Sequence, residues 1–234
     1  VTDDFCVFGL FGPKSRDLIK TLSNDNFENN DFKFATAKFI YIEGIKIWIQ
    51  RLSYVGELGY ELYVRFKDAK KIYKLIVELG KNFNLSNCGM HTMDIMRMES
   101  GFLHWGHDIS PQENQYESGL NFLISLKKNF DFIGKESLLK IKDKKLNKRF
   151  IMLFLKKSKP GEPLILHDEP IYLDNKIIGV TTSGNYSFNF NKNVSFGYIK
   201  SDYSNLELSK KNLFIEIEKI KYPAEVLLNP LKQT

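Results

Sequence analysis

The sequence predicts an α+β fold in which an α+β region, residues 1–146, is followed by a small C-terminal β-barrel or sandwich, residues 147–234. Three observations predict this class. Residues 1–80 read in the order β-α-β-β-β-α, which is typical of mixed or antiparallel pairing. A lysine-rich stretch, residues 140–148, then marks a domain boundary near residue 146. Beyond it, every segment reads as a short strand or a turn, the pattern of a barrel or sandwich.

The elements of this N-terminal part follow from hydrophobic periodicity and turn chemistry. Gly12 and Pro13 end the first strand, Glu43-Gly44 is a hairpin signal, and Asp68 is placed to cap the second helix. The predicted elements are strands over 4–10, 34–42, 45–54 and 60–66, and helices over 14–23 and 69–81.

The part of the chain that follows, up to the lysine-rich stretch, reads as two helices separated by a loop and a strand. Methionine and isoleucine residues predict a buried helix that contains Arg97 and Glu99 and is stopped by Gly101. Residues 102–112 form a loop rich in aromatic residues and histidine. A strand is predicted over 119–126, and a further helix begins at about residue 132.

The C-terminal domain reads entirely as strands joined by turns. Turn signals occur at Pro160-Gly161, at Asp174-Asn175 and between Asn191 and Asn193. The predicted strands cover residues 150–155, 163–167, 170–173, 177–182, 195–199, 213–217 and 224–227.

Composition excludes several classes of protein. The net charge of +6 comes almost entirely from lysines, whereas a nucleic-acid surface requires arginine and aromatic residues interleaved in one patch, so no nucleic-acid partner is expected. No apolar run is long enough for a membrane-spanning helix, so no membrane association is expected. Cys6 and Cys88 form no metal or redox motif and indicate a reducing compartment, cytoplasmic or, in a eukaryote, the mitochondrial matrix.

The motifs of common enzyme classes are absent from the sequence. It contains neither the glycine-rich dinucleotide fingerprint nor the Walker loop, and Ser183 does not lie in a nucleophile elbow. His104, His107 and Asp108 flank a glycine in a loop, but no third good metal ligand accompanies the histidines, so no metal site is predicted. This loop is instead expected to hydrogen-bond a neighbouring domain or to line a pocket.

The segment SYVGELGYELYV, residues 53–64, carries a carboxylate within an otherwise apolar strand. Alternation places Glu61, Tyr63 and Arg65 on one face. On a solvated face, Glu61 and Arg65 would form an ordinary surface pair. Beside tyrosines, a carboxylate also fits a flat ring with two adjacent N–H donors, such as the 2-amino group and N3–H of a pterin. The spacing alone leaves both interpretations open.

The order of motifs resembles the aminomethyltransferase family, the T-protein of glycine cleavage and its relatives. The resemblance extends from about residue 5 to residue 228. The loop WGHDI and the segment that follows it resemble one branch, the folate-binding C-terminal half of sarcosine and dimethylglycine dehydrogenases. The family patterns are matched by residues 54–61 (YTGExGxE), 95–101 (SLRLExG), 132–136 (FIGKE) and 180–184 (VTSG).

The resemblance implies a folate-binding aminomethyltransferase-type α+β region followed by a small C-terminal barrel. It implies that tetrahydrofolate is the cofactor and that a one-carbon unit is captured as 5,10-methylenetetrahydrofolate. In the dehydrogenase branch, the partner is an upstream flavin domain or subunit that carries FAD and oxidises an N-methyl amine. By the same resemblance, Glu61 holds the pterin and Tyr54 lies nearby as a wall of the pocket. No catalytic residue is assigned within the chain.

Two departures from the family pattern shape these expectations. The family's catalytic aspartate lies upstream of the matched motifs, and the chain opens on Val1, so we expect a fragment that is inactive alone. T-proteins have an arginine where this chain has Met93, which favours the dehydrogenase branch. Arg97 is expected to be a structural ion-pair partner of Glu99 or Asp94. The alternatives are a stand-alone aminomethyltransferase whose N-terminus is absent and a non-catalytic folate-binding or docking module.

Overall fold

The computed structural model describes residues 2–232, which form two compact units. The first unit runs to Met93, and the second begins at Asp94, inside a helix. The domain boundary predicted near residue 146 stays a prediction. Val1 and the last two residues of the predicted second domain lie outside the described residues.

The first unit has the predicted order β-α-β-β-β-α and an antiparallel sheet. Its strands are arranged in the order β1-β4-β3-β2. The bounds of its elements are β1 (Phe5–Phe11), α1 (Ser15–Leu22), β2 (Ala37–Ile42), β3 (Ile45–Gln50), β4 (Gly59–Arg65) and α2 (Phe66–Gly80).

The sheet of the first unit has one buried face and one accessible face. Ile47, Ile49, Leu62 and Val64 are fully buried and belong to a core that also includes residues of α1 and α2. The β2–β3 hairpin turns at Glu43-Gly44, where both φ angles are positive (49° and 75°), as a two-residue turn of type I′ requires. This register exposes the alternate residues of the strands on the opposite face.

Three predicted boundaries in this unit are wrong. β2 begins at Ala37 rather than at Phe34, because residues 34–35 form a turn in which Ala35 has a φ of 59°. β3 ends at Gln50 rather than Tyr54, because the chain leaves the ladder and forms bends over residues 54–58. α2 begins at Phe66, so Asp68 lies in its first turn rather than at its cap. In that position its carboxylate still interacts favourably with the partial positive charge at the N-terminus of the helix.

The segment between the sheet and the barrel contains two further helices, α3 (Met90–Glu99) and α4 (Lys135–Ile141). Gly101 ends α3 as predicted, with a φ of 74°. The strand predicted over 119–126 is wrong, because residues 121–123 form a 3-10 turn in which Phe122 is 75% exposed and no described strand pairs with it.

The C-terminal strands close into a six-stranded barrel, not a sandwich. Its strands are arranged in the order β10-β5-β8-β7-β6-β9, with a buried aliphatic core. The bounds of its elements are β5 (Lys148–Leu155), β6 (Pro170–Leu173), β7 (Lys176–Ser187), β8 (Lys192–Lys200), α5 (Asn205–Leu208), β9 (Leu213–Ile217) and β10 (Ile220–Leu227).

The strand predicted over 163–167 is also wrong. Ile165 is fully buried while Leu164 and Leu166 are exposed, so the side chains do alternate between the two faces as in a strand. The backbone is nevertheless not part of the sheet, because the Leu166 N–H donates to the Glu169 carboxylate at 3.0 Å. Of the helices in the described part of the chain, none has the length and apolar character needed to cross a membrane.

Candidate functional site

The accessible face of the first sheet carries two rows of side chains that run across the strands. We call the first the aromatic row, since it contains Phe39, Trp48 and Tyr63, which are paired in register across β2, β3 and β4. The Phe39 and Trp48 rings pack edge to face, with centroids 4.8 Å apart. The row offers aromatic ring faces on which a planar ring can stack.

The second row, which we call the polar row, adjoins the aromatic row. Glu61 lies directly opposite Gln50 on one side and Gly9 on the other. The Tyr63 hydroxyl donates a hydrogen bond to Glu61 Oε2 at 3.0 Å, and burial together with this bond raises the pKa of Tyr63. Glu61 is half-buried and faces the same side as Tyr63, as the alternation predicted.

Tyr54 occupies a different position from Glu61. It lies in the bends that join β3 to β4, is half-buried, and precedes Gly56, whose φ is 65°. Glu57 belongs to the same bends and lies between Gly56 and Gly59 in the chain. The binding roles of Glu61 and Tyr54 stay predictions.

A second cluster lies in the second unit around Arg97, which is 1% exposed. Its guanidinium forms ion pairs with Asp94 at 2.8 Å and with Asp108. It also donates to the Phe102 carbonyl at 3.0 Å and to the Ser183 hydroxyl at 2.8 Å. The predicted pairing with Asp94 is confirmed, and every nitrogen of this buried cation has a partner, which offsets its cost of desolvation.

Asp108 attaches its loop to barrel strand β7. Its Oδ1 accepts from the hydroxyls of Thr182 at 2.6 Å and Ser183 at 2.8 Å. Neighbouring strand residues normally point to opposite faces. A shift of register between Thr181 and Ser183 inserts Thr182 as an extra residue, and such bulges redirect side chains. The hydroxyls of Thr182 and Ser183 therefore reach the same carboxylate.

These bonds agree with the expectation that the loop hydrogen-bonds a neighbouring domain. The individual partners were not predicted, because Asp108 was weighed by itself only as a metal ligand, and Thr182 and Ser183 only as parts of a motif. A signal was present, since a buried arginine requires a buried acid, and Asp108 follows α3 closely. The alternative partner Glu99 is engaged elsewhere and accepts from Ser187 at 2.6 Å.

The two histidines of the loop lie side by side, with ring centroids 4.6 Å apart. Burial, with added repulsion from the charges of His107 and Arg97, lowers the pKa of His104. Within residues 2–232, no group of three or more histidine, cysteine or acidic side chains could hold a metal ion. The bonds of Asp108 to Thr182 and Ser183 attach this loop to the barrel.

Comparison with known proteins first defines the class. Residues 1–128 match the model of the GCVT N-terminal domain, and residues 148–232 match that of the glycine cleavage T-protein C-terminal barrel domain. The structure resembles the crystal structure of glycine cleavage system aminomethyltransferase T from Bartonella henselae, with a TM-score of 0.81 and 20% identity over 97% of this chain and 60% of that one. The fold is therefore the aminomethyltransferase fold.

The family follows from these matches: the chain belongs to the glycine cleavage T-protein, or aminomethyltransferase, family. It is 33% identical to the mitochondrial dimethylglycine dehydrogenase of Homo sapiens, over 100% of this chain and 26% of that protein. It is 30% identical to an aminomethyltransferase of Halothermothrix orenii, over 95% of this chain and 61% of that protein. The chain thus spans about a quarter of the dehydrogenase's length.

Proposed function

We propose that this chain is the tetrahydrofolate-binding, one-carbon-transfer portion of a sarcosine or dimethylglycine dehydrogenase-like enzyme, which captures the one-carbon unit as 5,10-methylenetetrahydrofolate. The observation that carries the proposal is the half-buried Glu61 carboxylate beside the aromatic row. The similarity to a dimethylglycine dehydrogenase over the whole chain supports this branch of the family.

The groups at the site fit a pterin. Glu61 has two oxygens, and Tyr63 uses one lone pair of Oε2, so the carboxylate can still accept two bonds from adjacent N–H donors. Trp48 and Tyr63 supply aromatic surface beside these acceptors. The donor and acceptor chemistry of the polar row therefore suits the amino-oxo edge of the ring.

The chain's own part in the proposed reaction is positioning. Tetrahydrofolate, when bound, supplies the nitrogen atoms that accept the one-carbon unit. Glu61 fixes the orientation of the ring, Tyr63 fixes the orientation of Glu61, and Tyr54 is proposed as a pocket wall. Orientation of this kind lowers the barrier because the entropy of alignment is lost on binding rather than in the transition state.

Calorimetric titration with tetrahydrofolate tests the proposal. Glu61→Ala should weaken binding by at least about tenfold, because it removes charge-assisted hydrogen bonds. Glu225→Ala is the matched control, since Glu225 is a strand glutamate of the barrel that pairs with Lys156. Binding by Glu61→Ala at wild-type affinity would overturn the proposal, and so would the absence of binding by the wild-type chain.

A second candidate, a stand-alone aminomethyltransferase, is favoured by the 61% coverage of the Halothermothrix orenii protein. The natural full-length polypeptide distinguishes the two. A flavin absorption spectrum and a length several times that of this chain support the dehydrogenase, with an upstream flavin domain or subunit as partner. A flavin-free polypeptide supports the second candidate. The proposed compartment is the cytoplasm or, in a eukaryote, the mitochondrial matrix.

A further inference from the structure

We propose that Gln50 is a specificity residue of this site, whose carboxamide donates a hydrogen bond to the oxygen at position 4 of the pterin ring. The inference rests on the proposed function and adds a second recognition group to Glu61. Gln50 was not singled out by any motif, and its position follows from the register of β3 on β4.

The register places Gln50 where a ligand held by Glu61 must meet it. The two residues are direct cross-strand partners, so their side chains extend from the same face with Cβ atoms about 5 Å apart. On the other side of Glu61 the partner is Gly9, which has no side chain. Among the described residues paired along this row, the polar neighbour of a ring bound to Glu61 is therefore Gln50, on the β3 side.

The Gln50 side chain is available for a ligand. The residue is half-buried at the end of β3, and within residues 2–232 its carboxamide forms no hydrogen bond. Glu61, by contrast, is already oriented by Tyr63. A half-buried amide beside an oriented carboxylate can gain hydrogen bonds on ligand binding without first losing internal ones.

The chemistry of the row matches the three-group edge of a 2-amino-4-oxo ring. That edge presents two adjacent donors, the 2-amino group and N3–H, followed by an acceptor, the oxygen at position 4. Glu61 accepts from both donors because a carboxylate has no proton to give. The neighbouring oxygen then requires a donor, and the Gln50 carboxamide carries one. Glu61 and Gln50 together therefore form hydrogen bonds with all three groups of this edge.

The test compares two ring ligands in a chemical-shift titration of the full chain. One is 2-amino-4-oxo-tetrahydropteridine, and the other is its 4-thioxo analogue, which keeps the 2-amino group and N3–H but has a much weaker acceptor at position 4. Gln50→Met should raise the dissociation constant of the oxo ligand by about fivefold to tenfold, and it should leave that of the second ligand unchanged within about twofold. Gln112→Met, at an exposed glutamine, is the control and should change neither.

The outcomes separate this inference from the proposed function. If Glu61→Ala weakens both rings while Gln50→Met weakens both equally or neither, the role of Gln50 is overturned and the proposed function stands. If the wild-type chain binds neither ring, the role of Gln50 and the proposed function are both overturned. A merely structural role of Gln50 cannot produce loss for one ligand alone, since damage to the strand would affect both.

Discussion

Arg97 and Asp108 form an ion pair in which the two side chains are only 1% and 0% exposed. The hydroxyl of Ser183 joins both, since it accepts from Arg97 at 2.8 Å and donates to Asp108 at 2.8 Å. The pair therefore ties the loop after α3 to strand β7 with almost no exposure to water. Its contribution to the free energy of unfolding can be measured directly.

Removal of one member of this pair should be far more costly than removal of a surface pair. Asp108→Asn removes the fully buried counter-ion of the guanidinium and leaves only the partly exposed Asp94, so it should lower the free energy of unfolding by about 3–5 kcal/mol. Glu225→Gln breaks the Lys156 pair, in which both side chains are 47% exposed, and should cost about 0–1 kcal/mol. Urea denaturation of both variants provides the measurement.

If Asp108→Asn does not fold, the double variant Arg97→Met/Asp108→Leu supplies the second measurement. Replacement of a whole buried pair by apolar residues is often close to neutral, so the double variant should be more stable than Asp108→Asn. Equal stability of Asp108→Asn and Glu225→Gln would contradict the assignment.

The bulge in β7 makes a separate prediction. Thr182→Val keeps the shape of the side chain but removes a donor to the buried carboxylate, so it should cost about 1.5–3 kcal/mol in the free energy of unfolding. Thr36→Val is the control, because the Thr36 hydroxyl bonds an exposed carbonyl and should matter less. Equal losses of unfolding free energy in the two variants, measured by chemical denaturation, would show that the Thr182 bond contributes no more than an exposed one.

His104 should make the protein sensitive to mild acid. Its pKa is lowered in the folded state from the ordinary value of 6.5, so the unfolded state binds more protons as the pH falls. Stability is therefore expected to fall as the pH is lowered through 6.5. His104→Gln should reduce this slope in urea midpoints measured between pH 7.5 and pH 5.5, about one pH unit on either side of the unfolded pKa.

NMR titration provides the matching direct test. His107→Gln removes a neighbouring positive charge and should raise the pKa of His104 toward its ordinary value. A His104 midpoint that does not move in His107→Gln would show that the neighbouring ring has no electrostatic effect.

Trp48 should report on folate binding. The sequence contains two tryptophans, and Trp48 belongs to the aromatic row whereas Trp105 lies on the loop after α3 and is 66% exposed. A ring stacked on the row should quench Trp48 emission. In Trp105→Phe the quenching by tetrahydrofolate should persist, and in Trp48→Phe it should disappear. The reverse pattern would place the ligand away from the sheet.

Several features of the fold could be predicted from residues alone because they depend on local chemistry. Glu43-Gly44 specified the hairpin, Gly101 ended its helix, and alternation placed Glu61 on the accessible face. Where an apolar segment had no partner strand, the same reasoning failed. Phe122 lies in such a segment, and Leu166 donates its N–H to a side chain instead of to a neighbouring strand.

The sequence by itself determined the α+β class, the order of elements in the first unit and the family, since periodicity, turn residues and ordered motifs are properties of the chain. Only the tertiary structure decided that Gln50 lies beside Glu61 and that Asp108 pairs with Arg97. The first depends on strand register, and the second depends on a loop whose aspartate is held by a bulged strand far along the chain. Both relationships depend on which strands pair and in which register, and the periodicity of a single segment does not specify that.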